Sequence, residues 1–344
     1  MRSSLLCAAL ALLVSTAVAA EPSYPVINET DFLEHVQERA LKLLADGKTK
    51  GSADLTPELE DRPPLHLTLT PAASEPIGDR ELYQRACRSV FVVAGLLKSP
   101  DQPEKWDFAT ATAFALAPDG VLATCRHVFA ARDPVEAFLA VDPAGEVFPI
   151  EEILAADKDS DICLFRIAAT GLTPLPLGES PPPGERIRVV SHPGYFFYYF
   201  AAGHVANYFT DDDRVTWQNV TADFGQGASG APVFDERGNV VGQVSRTLTL
   251  YASGTVTEDD LVRGRRVRAT HRRSFAERLR PTALQKKSAS KDDDESDDEP
   301  TATPTAEGSA DEMDELQRPA EEVGDPQMVF KICVPAESLR KLVQ

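Results

Sequence analysis

Between residues 89 and 250 the chain never sustains a helical period. It runs instead as short apolar stretches: SVFVVAGLL, ATAFALA, VLATC, EAFLAVD, EVFPIEEIL, DICLFRI, RIRVVS, FYYFAAGHVANY, RVTWQNVTA, APVFD and VVGQVS. Turn signals punctuate them: PDG at 118–120, DPAG at 142–145, PPPG at 181–184, DDD at 211–213 and DERGN at 235–239. Stretches this short and this rich in β-branched and aromatic residues favour strands, and glycine and proline between them force the chain to reverse. Many such strands at regular spacing fold as an all-β barrel or sandwich. With 344 residues, 42% of them hydrophobic, the chain is long enough for a sizeable core in one to three domains.

The flanks read differently. Residues 30–46, TDFLEHVQERALKLLAD, carry Phe32, Leu33, Val36, Ala40, Leu43 and Leu44 at helical spacing, with Thr30 as N-cap and Gly47 as stop. Residues 47–77, rich in Pro, Ser, Thr and Gly, read as a linker, and a short helix over 79–88 leads into the first strand. The first twenty residues hold Arg2, an apolar run over 5–18 and a small-residue end, the build of a secretory signal peptide cleaved after Ala19 or Ala20. No other segment suits a membrane span, so the expected mature protein is exported, to the periplasm or beyond, and soluble.

The formal charge of −19 is segregated rather than spread. Eleven Lys/Arg fall within residues 263–291 and fifteen acidic residues within 292–325. The acidic block competes for anything the basic block attracts, so no nucleic-acid partner is expected. The span 256–327 reads as a disordered insertion. At Met328 the chain turns apolar again, MVFKICVPAESLRKLVQ, which reads as one more strand, a proline stop and a helical turn or two.

Cleavage would leave Cys87, Cys125, Cys163 and Cys333, with no CxxC and no cysteine–histidine spacing suited to zinc. Buried free thiols and one or two disulfides both stay open, because sequence cannot pair them.

A base is the scarce component of a hydrolytic site, so the six histidines come next. His35 lies on the N-terminal helix, His66 in the linker and His271 among arginines; His192 sits in an SHPG turn and His204 within a strand. His127 ends the strand that follows the PDG turn. Asp161 heads the apolar strand DICLFRI, where a carboxylate is costly to bury without a partner. Ser229 stands in GQGASGAP, whose small residues leave the backbone free to approach another group. A serine hydroxyl needs an imidazole to take its proton, and the imidazole needs a carboxylate to fix its tautomer. His127, Asp161 and Ser229 supply these types in a chain order known for this chemistry. The glycines of GQGASGAP lack the Lys-Ser/Thr of a phosphate loop. The motif also departs from G-x-S-x-G at Ala231, which excludes an α/β-hydrolase esterase. Asp211, Asp212 and Asp213 read as a solvated hairpin turn rather than a metal site.

Here the sequence resembles the chymotrypsin-fold, trypsin-like serine peptidases, in particular the exported bacterial HtrA-type branch without a PDZ domain. TAFALAPDGVLATCRHVF is similar to the segment carrying that family's base, DKDSDICLFRI to the one carrying its orienting aspartate, and GASGAPVFDERGNVVGQV to its nucleophile motif. SHPGYFFYYFAAGHV resembles a second-barrel hairpin with Gly203 at a small-residue position, and the C-terminal segment resembles the strand and helix that close that barrel. The resemblance implies two antiparallel six-stranded β-barrels with the site between them. It divides the chain into a signal peptide (1–20), an N-terminal helix and linker (21–78) and a peptidase domain (79–255, the first barrel ending near 172). The insertion (256–327) and a closing strand and helix (328–344) follow. It implies a serine endopeptidase with His127 as base, Asp161 orienting it, Ser229 as nucleophile and an oxyanion hole at Gly227, Ala228 and Ser229. Phe224, Gln226, Val244, Ser245 and Arg246 would line the substrate pocket. No cofactor or metal is implied, and the partners are polypeptide substrates. Ala228 stands where Asp or Asn is more usual, at a position that contributes mainly backbone. The rival reading is a catalytically idle protease-fold scaffold.

Overall fold

The computed structural model describes residues 24–60, 64–99, 102, 104–130, 134–211, 213–251, 254–257 and 326–343. The expected signal peptide and most of the charged insertion lie outside the described residues.

Six antiparallel strands form the first barrel: β1 (Val90–Lys98), β2 (Trp106–Ala115), β3 (Val121–Cys125), β4 (Val135–Val141), β5 (Val147–Asp157) and β6 (Ile162–Ile167). They close in the order β1-β2-β3-β6-β5-β4. The first seven residues of β1 are all buried, without the alternation of a strand that has one wet face. Both its faces are covered. Phe91 and Val93 point into the barrel core, whereas Val92, Ala94 and Leu96 pack outward with helix α1 (Glu29–Ala45) through Val36 and Ala40.

The second barrel contains β7 (Arg186–Ser191), β8 (Tyr199–Thr210), β9 (Thr216–Val220), β10 (Pro232–Phe234), β11 (Val240–Tyr251) and β13 (Pro326–Pro335), with β12 (Gly254–Thr257) as an extra hairpin strand on the end of β11. The sheet order β10-β7-β8-β9-β13-β11 closes through the β10–β11 pairing. The two six-stranded barrels expected from the resemblance are therefore present. β13 lies between β9 and β11, so the ring is complete only with the C-terminal strand. Helix α4 (Ala336–Leu342) follows at once and buries Leu339 and Leu342 in a shared core with Phe114, Leu116 and Leu164 of the first barrel and Trp217 and Phe234 of the second.

Several expectations need correction. Asn28, not Thr30, caps α1: its Oδ1 accepts the backbone N–H groups of Thr30 and Asp31. The supposed linker is docked. Within it, α2 (Ser52–Leu55) and a 3-10 turn (Thr56–Leu59) bury Leu55 and Leu59 in the first barrel's core, and Glu58 Oε2 accepts the Ile153 N–H at 2.7 Å. Farther on, Leu65 bridges to Val343, and Ala73 exchanges two hydrogen bonds with the Asn239 amide. Pro and Ser mark where this strap turns; they do not loosen it. The short helix α3 (Asp79–Ala86) precedes β1 as expected, and its first residue holds Arg186 and Arg188 of β7. Asp211 closes a hairpin by accepting from Val215 N and Trp217 Nε1, which occupies its carboxylate. Cys87, Cys125, Cys163 and Cys333 are all buried, and none of the four is in a disulfide.

Candidate active site

His127 and Asp161 are adjacent because of strand register. β3 and β6 pair antiparallel with Cys125 opposite Ile162. His127 lies in the 3-10 turn Arg126–Val128 just past the end of β3, and Asp161 stands just before β6, so both side chains leave the same end of one strand pair. His127 Nδ1–H donates to Asp161 Oδ2 at 2.7 Å, and the His127 backbone N–H donates to Oδ1 at 3.0 Å. Asp161 has a positive φ of 55°, in the left-handed region that aspartate tolerates better than most residues. In that conformation its carbonyl accepts the Arg126 N–H while its carboxylate faces the ring.

A third donor reaches the carboxylate from the other barrel: Ser245 Oγ of β11 donates to Oδ2 at 2.9 Å. Burial alone would push the Asp161 carboxyl up. The hydrogen bonds from His127 and Ser245, with the charge of His127, outweigh it and hold the group below the usual carboxylate range. The His127 side chain remains 43% exposed and that of Asp161 16%. The carboxylate is thus shielded while the imidazole stays open to solvent.

Ser229 is presented by two successive tight turns, in which Ala228 N–H donates to Gly225 O at 3.0 Å and Ala231 N–H to Ala228 O at 2.9 Å. Gly227 has φ +93°, and a Cβ there would lie 2.4 Å from the His192 carbonyl oxygen, so both conformation and space demand glycine. Thr112 of β2 ties this loop to the first barrel. Its N–H donates to Ser229 O at 2.9 Å, its hydroxyl donates to Gly227 O at 2.8 Å, and the same hydroxyl accepts the His192 N–H at 3.2 Å. His192, in the SHPG turn, is fully buried; burial pushes its imidazole down to about 3, so it stays neutral.

Ser229 Oγ lies 3.0 Å from His127 Nε2 and 3.3 Å from the Ser245 carbonyl oxygen. With Nδ1–H given to Asp161, Nε2 carries the in-plane lone pair of the ring and can accept the hydroxyl proton. Among the three backbone groups expected to form an oxyanion hole, Ala228 N–H is committed to Gly225 O. Those of Gly227 and Ser229 make no hydrogen bond among the described residues. Two uncommitted N–H donors beside a serine hydroxyl suit a developing negative charge.

The expected pocket residues separate. Phe224 is buried, and Gln226 has its carbonyl accepting the Gly194 N–H. Val244 belongs to the second barrel's core, and its carbonyl accepts from Gly230 N–H and the Cys125 thiol. The Ser245 hydroxyl is turned to Asp161, while its carbonyl oxygen faces Ser229. Arg246 is exposed, its guanidinium 4.1 Å from the centroid of the Trp217 ring. One residue that holds the Ser229 loop carries no signal in the sequence that would mark it for the site: Thr112 is one of several small residues in an apolar strand, and nothing in its neighbours sets it apart.

Cys125, His127 and Asp161 form the one group of three potential metal ligands found among the described residues, their donor atoms within 4.8 Å of one another. Burial first, then the Asp161 charge, pushes the Cys125 thiol well up, and its S–H is donated to Val244 O. A thiol kept protonated is a poor ligand, whereas the imidazole and carboxylate are already oriented for proton transfer.

Residues 111–242 match the family model described as the trypsin-like peptidase domain. A probable periplasmic serine endoprotease, DegP-like, from Ectopseudomonas mendocina (strain ymp) is 25% identical over 198 residues, 56% of this chain and 37% of that one. The match thus spans little more than a third of that relative's length. Among solved structures, the HtrA-type protease AlgW with a decapeptide aligns with TM-score 0.44 at 15% identity, covering 55% of this chain and 66% of the other. The serine endoprotease from Yersinia pestis aligns with TM-score 0.40 at 18% identity, covering 55% and 65%. Over residues 111–242 the chain is therefore similar to the trypsin-like peptidase domain, and its two antiparallel barrels have the chymotrypsin-like fold.

Proposed function

We propose that this chain is a serine endopeptidase in which Ser229 is the nucleophile, His127 the general base and Asp161 the group that orients and stabilises the imidazole. The observation that carries the reading is the continuous line of bonds from Asp161 Oδ2 through His127 Nδ1 and Nε2 to Ser229 Oγ, at 2.7 and 3.0 Å.

His127 Nε2 takes the hydroxyl proton as Ser229 Oγ bonds to the carbonyl carbon of a peptide. The electron pair of that C=O passes to oxygen, which the N–H groups of Gly227 and Ser229 receive. Collapse of the tetrahedral intermediate breaks the C–N bond, the imidazolium protonates the departing amine, and an ester to Ser229 remains. Water then attacks the ester, giving its proton to the same imidazole, and the serine is restored. The ionised Asp161 stabilises the imidazolium in both halves, a role its depressed pKa suits.

The substrates are polypeptide segments exposed enough to lie along the cleft, a reading supported by the DegP-like relative and by the trypsin-like family match. The signal-like N-terminus and that relative's periplasmic designation support export to the same kind of compartment. Among the described residues no helix is long and apolar enough to cross a membrane.

Covalent labelling by a fluorophosphonate, together with digestion of a denatured protein, tests the assignment in wild type and Ser229→Ala. Labelling at Ser229 and cleavage, both abolished by the substitution, are expected. A wild-type protein that neither labels nor cleaves, behaving like Ser229→Ala, refutes the assignment and favours an idle scaffold.

A further inference from the structure

Two segments flank Ser229 in space. One is 224–228, leading up to it; the other is 245–247 of β11, whose Ser245 carbonyl oxygen lies 3.3 Å from Ser229 Oγ. Lys331 of β13 joins them. It pairs across the ladder with Thr247, its ammonium donates to the carbonyl oxygen of Phe224, and its Nζ lies 5.4 Å from the centroid of the Phe224 ring. Cys333, two residues on and on the same face of the strand, packs with Phe224, Ala228 and Val244 in the second barrel's core. Lys331 therefore stands at the mouth of that core rather than on the barrel's outer wall, and it is only partly exposed.

A half-buried ammonium usually has a carboxylate beside it. Among the described residues no carboxylate lies within ion-pair distance of Lys331, although Asp223 is near in sequence to its acceptor and exposed. One carbonyl uses one of its three N–H donors and leaves its charge uncompensated.

We propose that Lys331 determines specificity, by receiving the carboxylate of an Asp or Glu side chain on the substrate residue whose carbonyl Ser229 attacks. The proposal rests on the peptidase reading above. For attack, the substrate carbonyl carbon must sit at Ser229 Oγ with its oxygen toward the Gly227 and Ser229 N–H groups. The side chain of the same residue then enters between segments 224–228 and 245–247, where Phe224 and Lys331 meet it. An acidic side chain supplies the missing counter-charge in a partly desolvated place. A basic one meets a like charge, and an apolar one leaves the ammonium unpaired.

The experiment uses the full chain as wild type, Lys331→Met, Lys331→Gln and Lys331→Glu. Each digests a denatured proteome, with new C-termini read by mass spectrometry, and each is labelled with a fluorophosphonate, which reports Ser229 whatever the side-chain preference. Wild type is expected to cleave mainly after Asp and Glu. On matched peptides, Lys331→Met and Lys331→Gln should lose on the order of 100-fold in kcat/KM for the acidic residue relative to leucine, and Lys331→Glu should move cleavage toward Lys and Arg. Lys331→Gln can still donate to Phe224 O, so it carries the comparison if a bolder change fails to fold. Normal labelling with cleavage after apolar residues, or an acidic preference unchanged in Lys331→Gln, overturns the assignment and leaves the peptidase reading intact. A wild type that neither labels nor cleaves overturns both.

Discussion

Replacing Thr112 with valine removes one oxygen atom and changes little else in shape, yet it should damage stability and reactivity together. The hydroxyl stands between the barrels, donating to Gly227 O at 2.8 Å and accepting the His192 N–H at 3.2 Å, in a place where Thr112 and His192 are both fully buried. Valine leaves that C=O and that N–H without partners in a dry site. An unsatisfied buried group costs about 1–3 kcal/mol, and the two share whatever relaxation the loop allows, so the sum should be about 2–4 kcal/mol. For a protein of this size that corresponds to a fall in the thermal midpoint of roughly 5 °C or more. The peptide plane joining Gly227 to Ala228 also loses the bond that holds its carbonyl, and it lies between the two uncommitted donors, the N–H groups of Gly227 and Ser229. Since removing such a donor outright costs about 100- to 1,000-fold, loosening one should slow fluorophosphonate labelling by about 10- to 100-fold. Thr112→Ser separates the causes: it keeps the hydroxyl and gives up only a methyl, so it should retain most of the labelling rate. Two results refute the reasoning. One is a valine variant that matches wild type in midpoint and labelling; the other is a serine variant as impaired as the valine one.

Other perturbations follow from the same geometry. Ser245→Ala removes one donor from Asp161 Oδ2, so the carboxyl pKa should rise and peptide hydrolysis fall by about tenfold, with the acid limb of the rate profile moved to higher pH. Because Asp161 is depressed in the folded protein, its ionised form stabilises fully above the unfolded value of about 3.9 and loses that contribution as pH falls through the lower folded value. The midpoint difference between wild type and Asp161→Asn should therefore be flat above about pH 5 and shrink below about pH 4 in thermal melts. Gly230→Ala should destabilise by about 3 kcal/mol or more, measurable as a lost or strongly lowered melting transition. Gly230 has φ +89°, and a Cβ would lie 2.1 Å from the Thr112 carbonyl oxygen. Deleting 328–344 should abolish soluble expression, because β13 closes the second barrel between β9 and β11; a soluble, protease-resistant product would contradict that topology.

How much of this is legible in the sequence depends on which interactions are local. The strands are, because β-branched runs between Gly and Pro turns act over a few residues, and FKICVP reads as a strand despite the charged insertion before it. The docked strap is not. Leu55 and Leu59 are two apolar side chains with no period around them, and only the open end of a distant barrel makes them core. The same division runs through the site. The three residues proposed to act, His127, Asp161 and Ser229, can be picked out because that chemistry needs those residue types and few candidates exist. Ser245 is different. Its hydroxyl holds Asp161 through a bond between residues 84 apart in the chain, and a serine in VVGQVS has no direction that sequence can show.

The residues hidden in the sequence share a physical property. Thr112 is on the first barrel and holds the Ser229 loop of the second; Ser245 is on the second and holds the Asp161 of the first. Each barrel thus supplies a hydroxyl that completes the part of the site carried by the other, and Cys125, donating to Val244 O, makes a third such crossing. These bonds exist only when the barrels are seated together, over the shared core of Phe114, Leu164, Trp217 and Phe234. The line from Asp161 to Ser229 is therefore a reporter of barrel docking as well as of chemistry. A substitution in that shared core, such as Trp217→Ala, should lower labelling of Ser229 even though it touches none of the three groups in line. Equal labelling at a lowered melting point would show instead that each barrel holds its part of the site unaided.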